Sequence, residues 1–161
     1  MKLIAAVSEN WGIGKDNGLL FSIPKDMKFF RETTMGKVVV LGRKNLESFP
    51  GGRPLKNRTN IILTRNPDFK CDGAVICHDI SELFKLPYDR SEMFVIGGEE
   101  IYRQLIGFCS ECYITKVFET VPADKFMVNL DEDENWRLAE KSEKQEDNGH
   151  IIQFCRYERV K

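Results

Sequence analysis

Short apolar runs recur along the chain: KLIAAV (2 to 7), KVVVL (37 to 41), NIIL (60 to 63), AVIC (74 to 77), MFVIG (93 to 97) and CYITKVF (112 to 118). They are rich in Val and Ile, and several are too continuously apolar to keep one wet face, which is how strands buried on both sides read. The segments between them read as helices. Residues 25 to 34 follow Pro24, a good first-turn residue, and residues 43 to 49 follow Gly42. Residues 81 to 86 have Asp79 and Ser81 as caps, and 99 to 107 place Ile101, Leu105 and Ile106 on one face before Gly107. Strands alternating with helices predict an α/β fold with a largely parallel central sheet.

The C-terminal stretch NWRLAEKSEKQEDNGHIIQFCRYERV has a different pattern: two alternating segments around Asn148-Gly149, a strong signal for a tight hairpin. An antiparallel edge is therefore expected beside the parallel strands. No repeat, low-complexity tract or linker interrupts the 161 residues, so one domain over 1–161 is expected.

Composition narrows the function. With 42% apolar and 30% charged residues and a formal charge of −1, no segment concentrates Lys and Arg as a polyphosphate-binding surface requires, so nucleic acid is not an expected partner. The apolar run in MKLIAAVSEN is too short for a signal-peptide core, and no later run approaches the ~18 residues of a membrane span, so the expectation is a cytoplasmic protein without membrane contact. Five cysteines, at 71, 77, 109, 112 and 155, do not form a disulfide framework. Cys109 and Cys112 lack a second pair or a nearby His and read as reduced, partly buried thiols, and no metal site is expected. No large apolar stripe is left after the core is assigned, so a monomer is expected.

Candidate chemistry begins with Asp26, an anion inside LLFSIPKDMKFF that shares its helical face with Phe29, Phe30 and Thr33. Two readings stand: an acid favoured by the first helical turn, or a counter-ion for a planar ligand with two N–H donors, such as a 2-amino-pyrimidine ring. The loop NWGIGKDNG misses both the dinucleotide and phosphate-loop spacings, and its length reads as a lid or a flexible connection. LGRKN and LTR end two strands with Arg43, Lys44, Thr64 and Arg65, either an exposed basic corner offset by Glu47 or a site for a phosphate monoester. Gly97-Gly98, between a strand and a helix, allows either tight packing or close approach of a pyrophosphate. DEDENW imitates a calcium loop but puts Trp136 where the loop needs Gly, so it reads as a solvated acidic turn, and His78 and His150 form no triad.

These segments have a specific order: IAA, a glycine-containing loop, P-x-D opening a helix, strand-GR, LTR, then VIGG before a helix with Tyr. In this order the chain resembles the dihydrofolate reductase family over essentially its whole length. The resemblance implies an eight-stranded, mostly parallel sheet with four flanking helices and an adenosine-binding subdomain over about 37–90. It implies NADPH as hydride donor and reduction of 7,8-dihydrofolate to tetrahydrofolate, which supports one-carbon metabolism and nucleotide synthesis and is a target of antifolate-type small molecules.

Carried over by position, the resemblance makes Asp26, aided by Thr115, the partner of the pterin 2-amino group and N3, with a water under the lid delivering the proton to N5. Ile4, Ala5, Met27, Phe30, Phe49, Leu55 and Ile96 would line the pterin and aminobenzoyl pocket, and Arg58 would clamp the glutamate carboxylate. Cofactor contacts would come from Ala6 and from Ile13, Gly14, Lys15, Asp16, Asn17 and Gly18. More would come from Gly42, Arg43, Lys44 and Asn45, and from Leu63, Thr64, Arg65 and His78. The last group is Gly97, Gly98, Glu99, Glu100, Ile101 and Tyr102, with a cis Gly97-Gly98 bond.

One departure falls at a catalytic position. Phe21 stands where the family usually has Trp, keeping a ring but losing the indole N–H. FPGGRP, 49 to 54, also lengthens its loop relative to the family. Two other functions would fit parts of this pattern: a pyrimidine reductase of flavin synthesis on the same fold, expected to lack the Arg58 clamp, and a folate- or nucleotide-binding module without turnover.

Overall fold

In the computed structural model, which describes residues 1–161, the apolar runs and helical patterns become the elements they predict. In chain order these are β1 (Lys2–Val7), β2 (Gly12–Lys15), β3 (Gly18–Leu19), α1 (Pro24–Thr34), β4 (Val38–Gly42), α2 (Arg43–Glu47), β5 (Thr59–Leu63) and β6 (Ala74–Cys77). Then follow α3 (Ile80–Phe84), β7 (Met93–Gly97), α4 (Glu99–Leu105), β8 (Glu111–Val117), β9 (Lys125–Phe126), β10 (Trp136–Lys141), β11 (Gln145–Asp147) and β12 (His150–Arg159).

The main sheet has the order β10-β12-β8-β1-β7-β4-β5-β6, with β11 also paired to β12. The six strands from β8 to β6 run parallel, while β12 and β10 add the antiparallel edge. The reason the inner runs are apolar without alternation is now visible. Leu3, Val40, Ile61 and Val95 pack into a core on one side of the sheet, and their neighbours Ile4, Val39, Leu41, Ile62, Phe94 and Ile96 form a second core on the other. The hairpin turn is as expected: Asp147 pairs with His150, and Asn148 and Gly149 both take positive φ (52° and 81°), the two-residue geometry that matches strand twist.

Three expectations change. The glycine-rich stretch is no irregular connection, because β2, β3 and β9 form a separate three-stranded sheet in the order β3-β2-β9. Asp16 and Asn17 at positive φ (52° and 59°) make its tight turn, and a Cβ on Gly12 would come within 2.7 Å of Ala123 Cβ, so glycine lets the ribbon close on the chain after β8. Cys109 and Cys112 are fully rather than partly buried, Cys112 because β8 lies between β1 and β12. The acidic turn is not merely solvated: Asp131 accepts hydrogen bonds from Lys116 Nζ (2.7 Å) and the Tyr157 hydroxyl (2.6 Å), and Trp136 is buried.

No group of three or more His, Cys, Asp and Glu side chains could hold a metal ion, and no helix is long and apolar enough to cross a membrane.

Buried Asn60, at the start of β5, anchors the loop before it. Its amide donates to the carbonyls of Leu55 (2.9 Å) and Arg58 (3.2 Å), and its Oδ1 accepts from the Leu55 N–H (3.0 Å). Asn60→Ala leaves those backbone groups without their partner and is expected to cost roughly 2–3 kcal/mol of stability, read as a lower midpoint in urea titration.

Candidate active site

Because six strands are parallel, their carboxyl ends open on one edge, the usual ligand side of such a sheet. Several of the expected site residues lie on the strands that end there. Ala5 and Ala6 lie on β1, Thr115 on β8, Ile96 and Gly97 on β7, Gly42 on β4 and Leu63 on β5, while His78 follows β6 directly.

Asp26 is the third residue of α1, and the Thr115 hydroxyl donates to its Oδ1 at 2.6 Å across 89 residues of sequence. Thr115 is buried, whereas Asp26 is half-buried and its Oδ2 meets no protein donor. Burial pushes the Asp26 carboxyl above its ordinary pKa, and the Thr115 bond opposes that shift without cancelling it. The result is a carboxylate with one oxygen oriented by the protein and the other available.

Beside it the second core supplies an apolar wall: Ile4 and Ile96 are buried, and Phe29, Phe30, Phe49 and Leu55 pack against them. Phe29 also leans toward the antiparallel edge, 4.8 Å from the Phe154 ring and 6.4 Å from Tyr113. Met27 stays largely exposed. Phe21 belongs to a third cluster with Ile23, Val117 and Ile152, its ring edge-on to His150 at 5.4 Å. Arg58 donates through Nη1 to Thr34 Oγ1 (3.1 Å) and through Nε to the Lys56 carbonyl (2.9 Å). Burial and the neighbouring Arg31 charge both lower its pKa, so two cations share this end of α1. The sequence reading omitted Arg31; its place in the last turn of α1 was legible, but the arrival of Arg58 beside it was not.

The β7–α4 junction is built around glycine. Gly97 has φ 123°, the Gly97-Gly98 bond is cis, and a Cβ on Gly97 would lie 3.4 Å from Asn45 Nδ2 and the Tyr102 ring. Asn45 Nδ2 donates to the Ile96 carbonyl (3.3 Å), and the buried Tyr102 hydroxyl donates to the Ile4 carbonyl (2.7 Å). Gly42 leaves room for Ile101, whose Cγ1 would be 3.0 Å from an added Cβ. Thus α2, α4, β1 and β7 meet at one point.

The charged residues there are partnered. Arg43 pairs with Glu47 (2.9 Å) and Arg65 with Glu100 (3.1 Å), while Lys44 is exposed. Both pairs are solvent-exposed and therefore weak. Glu99 accepts from the Phe126 N–H (2.7 Å) and pairs with Arg103 (3.4 Å); Glu100 also accepts from Gln104. The Glu99 contact ties the small sheet to the start of α4, and the ribbon's other end is held by the Asp16 N–H donating to Asp124 (3.0 Å). In the ribbon, Lys15, Asp16, Asn17 and Gly18 are exposed, with Ile13 against the first core and Gly14 buried. His78 is occupied locally by Glu82, which its backbone N–H (2.6 Å) and ring Nδ1 (3.3 Å) both approach.

The family model described as dihydrofolate reductase matches residues 1–159. The chain belongs to the dihydrofolate reductase family. It is 38% identical over 165 residues to the dihydrofolate reductase of Staphylococcus haemolyticus, covering 100% of this chain and 96% of that one. It is 34% identical to the Bacillus subtilis enzyme of the same name, covering 99% and 94%. Among solved structures, dihydrofolate reductase from Enterococcus faecalis complexed with NADP(H) and RAB-propyl superposes with a TM-score of 0.88 at 33% identity, covering 99% of this chain and 96% of that one. The dihydrofolate reductase fold expected from the ordered motifs is therefore present, with its antiparallel edge.

Within this dihydrofolate reductase framework the Asp26 charge opposes folding. Its folded pKa lies above its unfolded value, so the cost is absent at pH below the unfolded value and grows as pH rises through the folded one. Asp26→Asn, whose amide oxygen can still accept from Thr115, is expected to raise the melting temperature at neutral pH, with the gain disappearing in acid. Thermal melts of both proteins across that pH range check the sign.

Proposed function

We propose that this protein reduces 7,8-dihydrofolate to tetrahydrofolate with NADPH, and that Asp26 and Thr115 together orient the pterin. The observation that carries the reading is the Thr115–Asp26 hydrogen bond at the open edge of the sheet, beside an apolar wall. Asp26 Oδ2 and the remaining lone pairs of Oδ1 suit two parallel N–H donors, as the pterin 2-amino group and N3 offer. Ile4, Phe30, Phe49, Leu55 and Ile96, which share one apolar wall, hold the rings and exclude water, with exposed Met27 at the rim and Ala5, whose side chain joins the other core, contributing through its backbone. Arg58, with Arg31 beside it, meets the glutamate carboxylate, which favours dihydrofolate over the pyrimidine substrate of flavin synthesis.

NADPH, when bound, supplies the hydride to pterin C6. The residues present fit it: Gly97 and Gly98 admit close approach of backbone to a pyrophosphate, and Arg43, Lys44, Thr64 and Arg65 stand at adjacent strand ends to receive a 2′-phosphate. Ala6, Gly42, Asn45, Leu63, His78 and the start of α4 from Glu99 to Tyr102 complete that surface, and the ribbon from Ile13 to Gly18 covers it as a lid. The enterococcal dihydrofolate reductase complexed with NADP(H) supports the assignment.

Asp26 polarises the pterin, and a water admitted under the ribbon carries the proton to N5. Phe21 keeps the ring contact of its position without a donor, so water beside the pterin is held by fewer partners. The same reading takes 1–161 as one domain with an adenosine-binding part at about 37–90, working as a cytoplasmic monomer.

A steady-state assay following oxidation of NADPH with dihydrofolate tests the function; binding of both ligands without turnover would favour a binding module instead. Asp26→Asn is expected to cut kcat/KM about 10²-fold or more at neutral pH, and less in acid, where substrate arrives protonated. Unchanged turnover removes Asp26 from the mechanism. Arg43→Ala combined with Arg65→Ala should raise KM for NADPH about tenfold or more while leaving KM for NADH nearly unaltered, and equal effects on both would refute the 2′-phosphate site.

A further inference from the structure

Helix α1, which carries Asp26, begins without a cap of its own. Its N-cap residue is Ile23, whose side chain accepts nothing, and Pro24 fills the first turn without an N–H. The first free backbone donor of the helix is Lys25 N–H, one residue before Asp26. It is satisfied from the other end of the chain: Asp147 Oδ2 accepts it at 2.7 Å, across 122 residues.

Asp147 is the last residue of β11, and the Asn148-Gly149 turn presents it there. The same hairpin makes three more contacts with residues 21 to 25. Asn148 Nδ2 donates to the Ser22 carbonyl (2.8 Å), Lys25 Nζ donates to Gln145 Oε1 (3.3 Å), and the His150 ring meets Phe21. The strap entering α1 thus has its backbone held by the hairpin at both Ser22 and Lys25. Of these contacts the Asp147 bond is the shortest hydrogen bond and the one made by the helix backbone next to Asp26.

We infer that Asp147 is a positioning residue for the reaction: a tertiary N-cap that sets the first turn of α1 and with it the distance from Asp26 to Thr115 and to the pterin. This inference rests on the reading of Asp26 as the pterin carboxylate. The positioning comes from where the acceptor oxygen is held, so a neutral acceptor of the same shape keeps most of it. It also acts through Asp26 alone, and the cofactor side is untouched.

The test compares Asp147→Ala, Asp147→Asn and the double variant Asp26→Asn/Asp147→Ala, each checked for folding by circular dichroism. Asp147→Ala is expected to lower kcat/KM for dihydrofolate about tenfold, as a sub-ångström displacement of a positioned group does, with KM for NADPH unchanged. Asp147→Asn should recover activity to within about twofold, because its amide oxygen accepts the same N–H. In the Asp26→Asn background the alanine substitution should cost less than about twofold, the coupling expected of a residue that works through position 26. Should the alanine variant be too unstable to assay, Asp147→Glu, which displaces the oxygen by one methylene, replaces it with the same expectation. Equal losses in both backgrounds, an equal rise in KM for both substrates, or no loss at all would overturn the role of Asp147. If Asp26→Asn itself is fully active, the Asp26 reading fails and this inference with it; if Asp26→Asn is impaired and Asp147→Ala is not, only the inference falls.

Discussion

A carboxylate drawn partly out of water and steadied by a single hydroxyl organises this molecule's chemistry. Asp26 has lost enough solvent for its pKa to rise, yet one oxygen is oriented by Thr115 and the other is open. Such a group binds a flat donor–donor edge strongly because the alternative, burial without partners, is unfavourable. The position requires α1 to end its approach against β8, and β8 to lie next to β1 in a parallel sheet, so that the carboxyl ends of these strands face the same opening.

The same constraint shapes the β7–α4 junction. At the end of β7 the register with β4 slips, Val40 facing Val95 and Leu41 facing Gly97, so Ile96 is displaced from regular pairing where the strand turns toward α4. Gly97, Asn45 and Tyr102 fill the point where two helices and two strands converge, and the Tyr102 hydroxyl reaches the carbonyl of Ile4, whose side chain belongs to the apolar wall beside Asp26. Helix α4 and strand β1 are therefore joined by a buried hydrogen bond rather than by a flexible loop.

Around this framework the peripheral elements act as tethers. The small sheet is held to α4 through Glu99 and to its own neighbouring loop through Asp124. The C-terminal hairpin is held to the entrance of α1 through Asp147 and Asn148. Both tethers use exposed or half-exposed polar contacts, which are individually weak and reversible. An edge that must admit two ligands benefits from closures of this strength, while the apolar cores on either side of the main sheet keep the strand ends in place.

The strands of the main sheet, the helices and the hairpin turn were legible in the sequence because each rests on local information. Val and Ile runs, Pro24 before a helix, Asn148-Gly149 at a turn and glycines at 97 and 98 constrain the backbone wherever they occur. The ribbon fold of residues 12 to 19, the pairing of Arg58 with Arg31, the exposed ion pairs of Arg43 and Arg65, and the capping of α1 by Asp147 were not legible. Each joins groups whose spacing along the chain carries no trace of their meeting. Local patterns determined which elements form and what chemistry they carry; only the tertiary structure decided which side chains meet and which are already occupied, because long-range contacts are selected by how the sheet and helices pack, not by their neighbours in sequence.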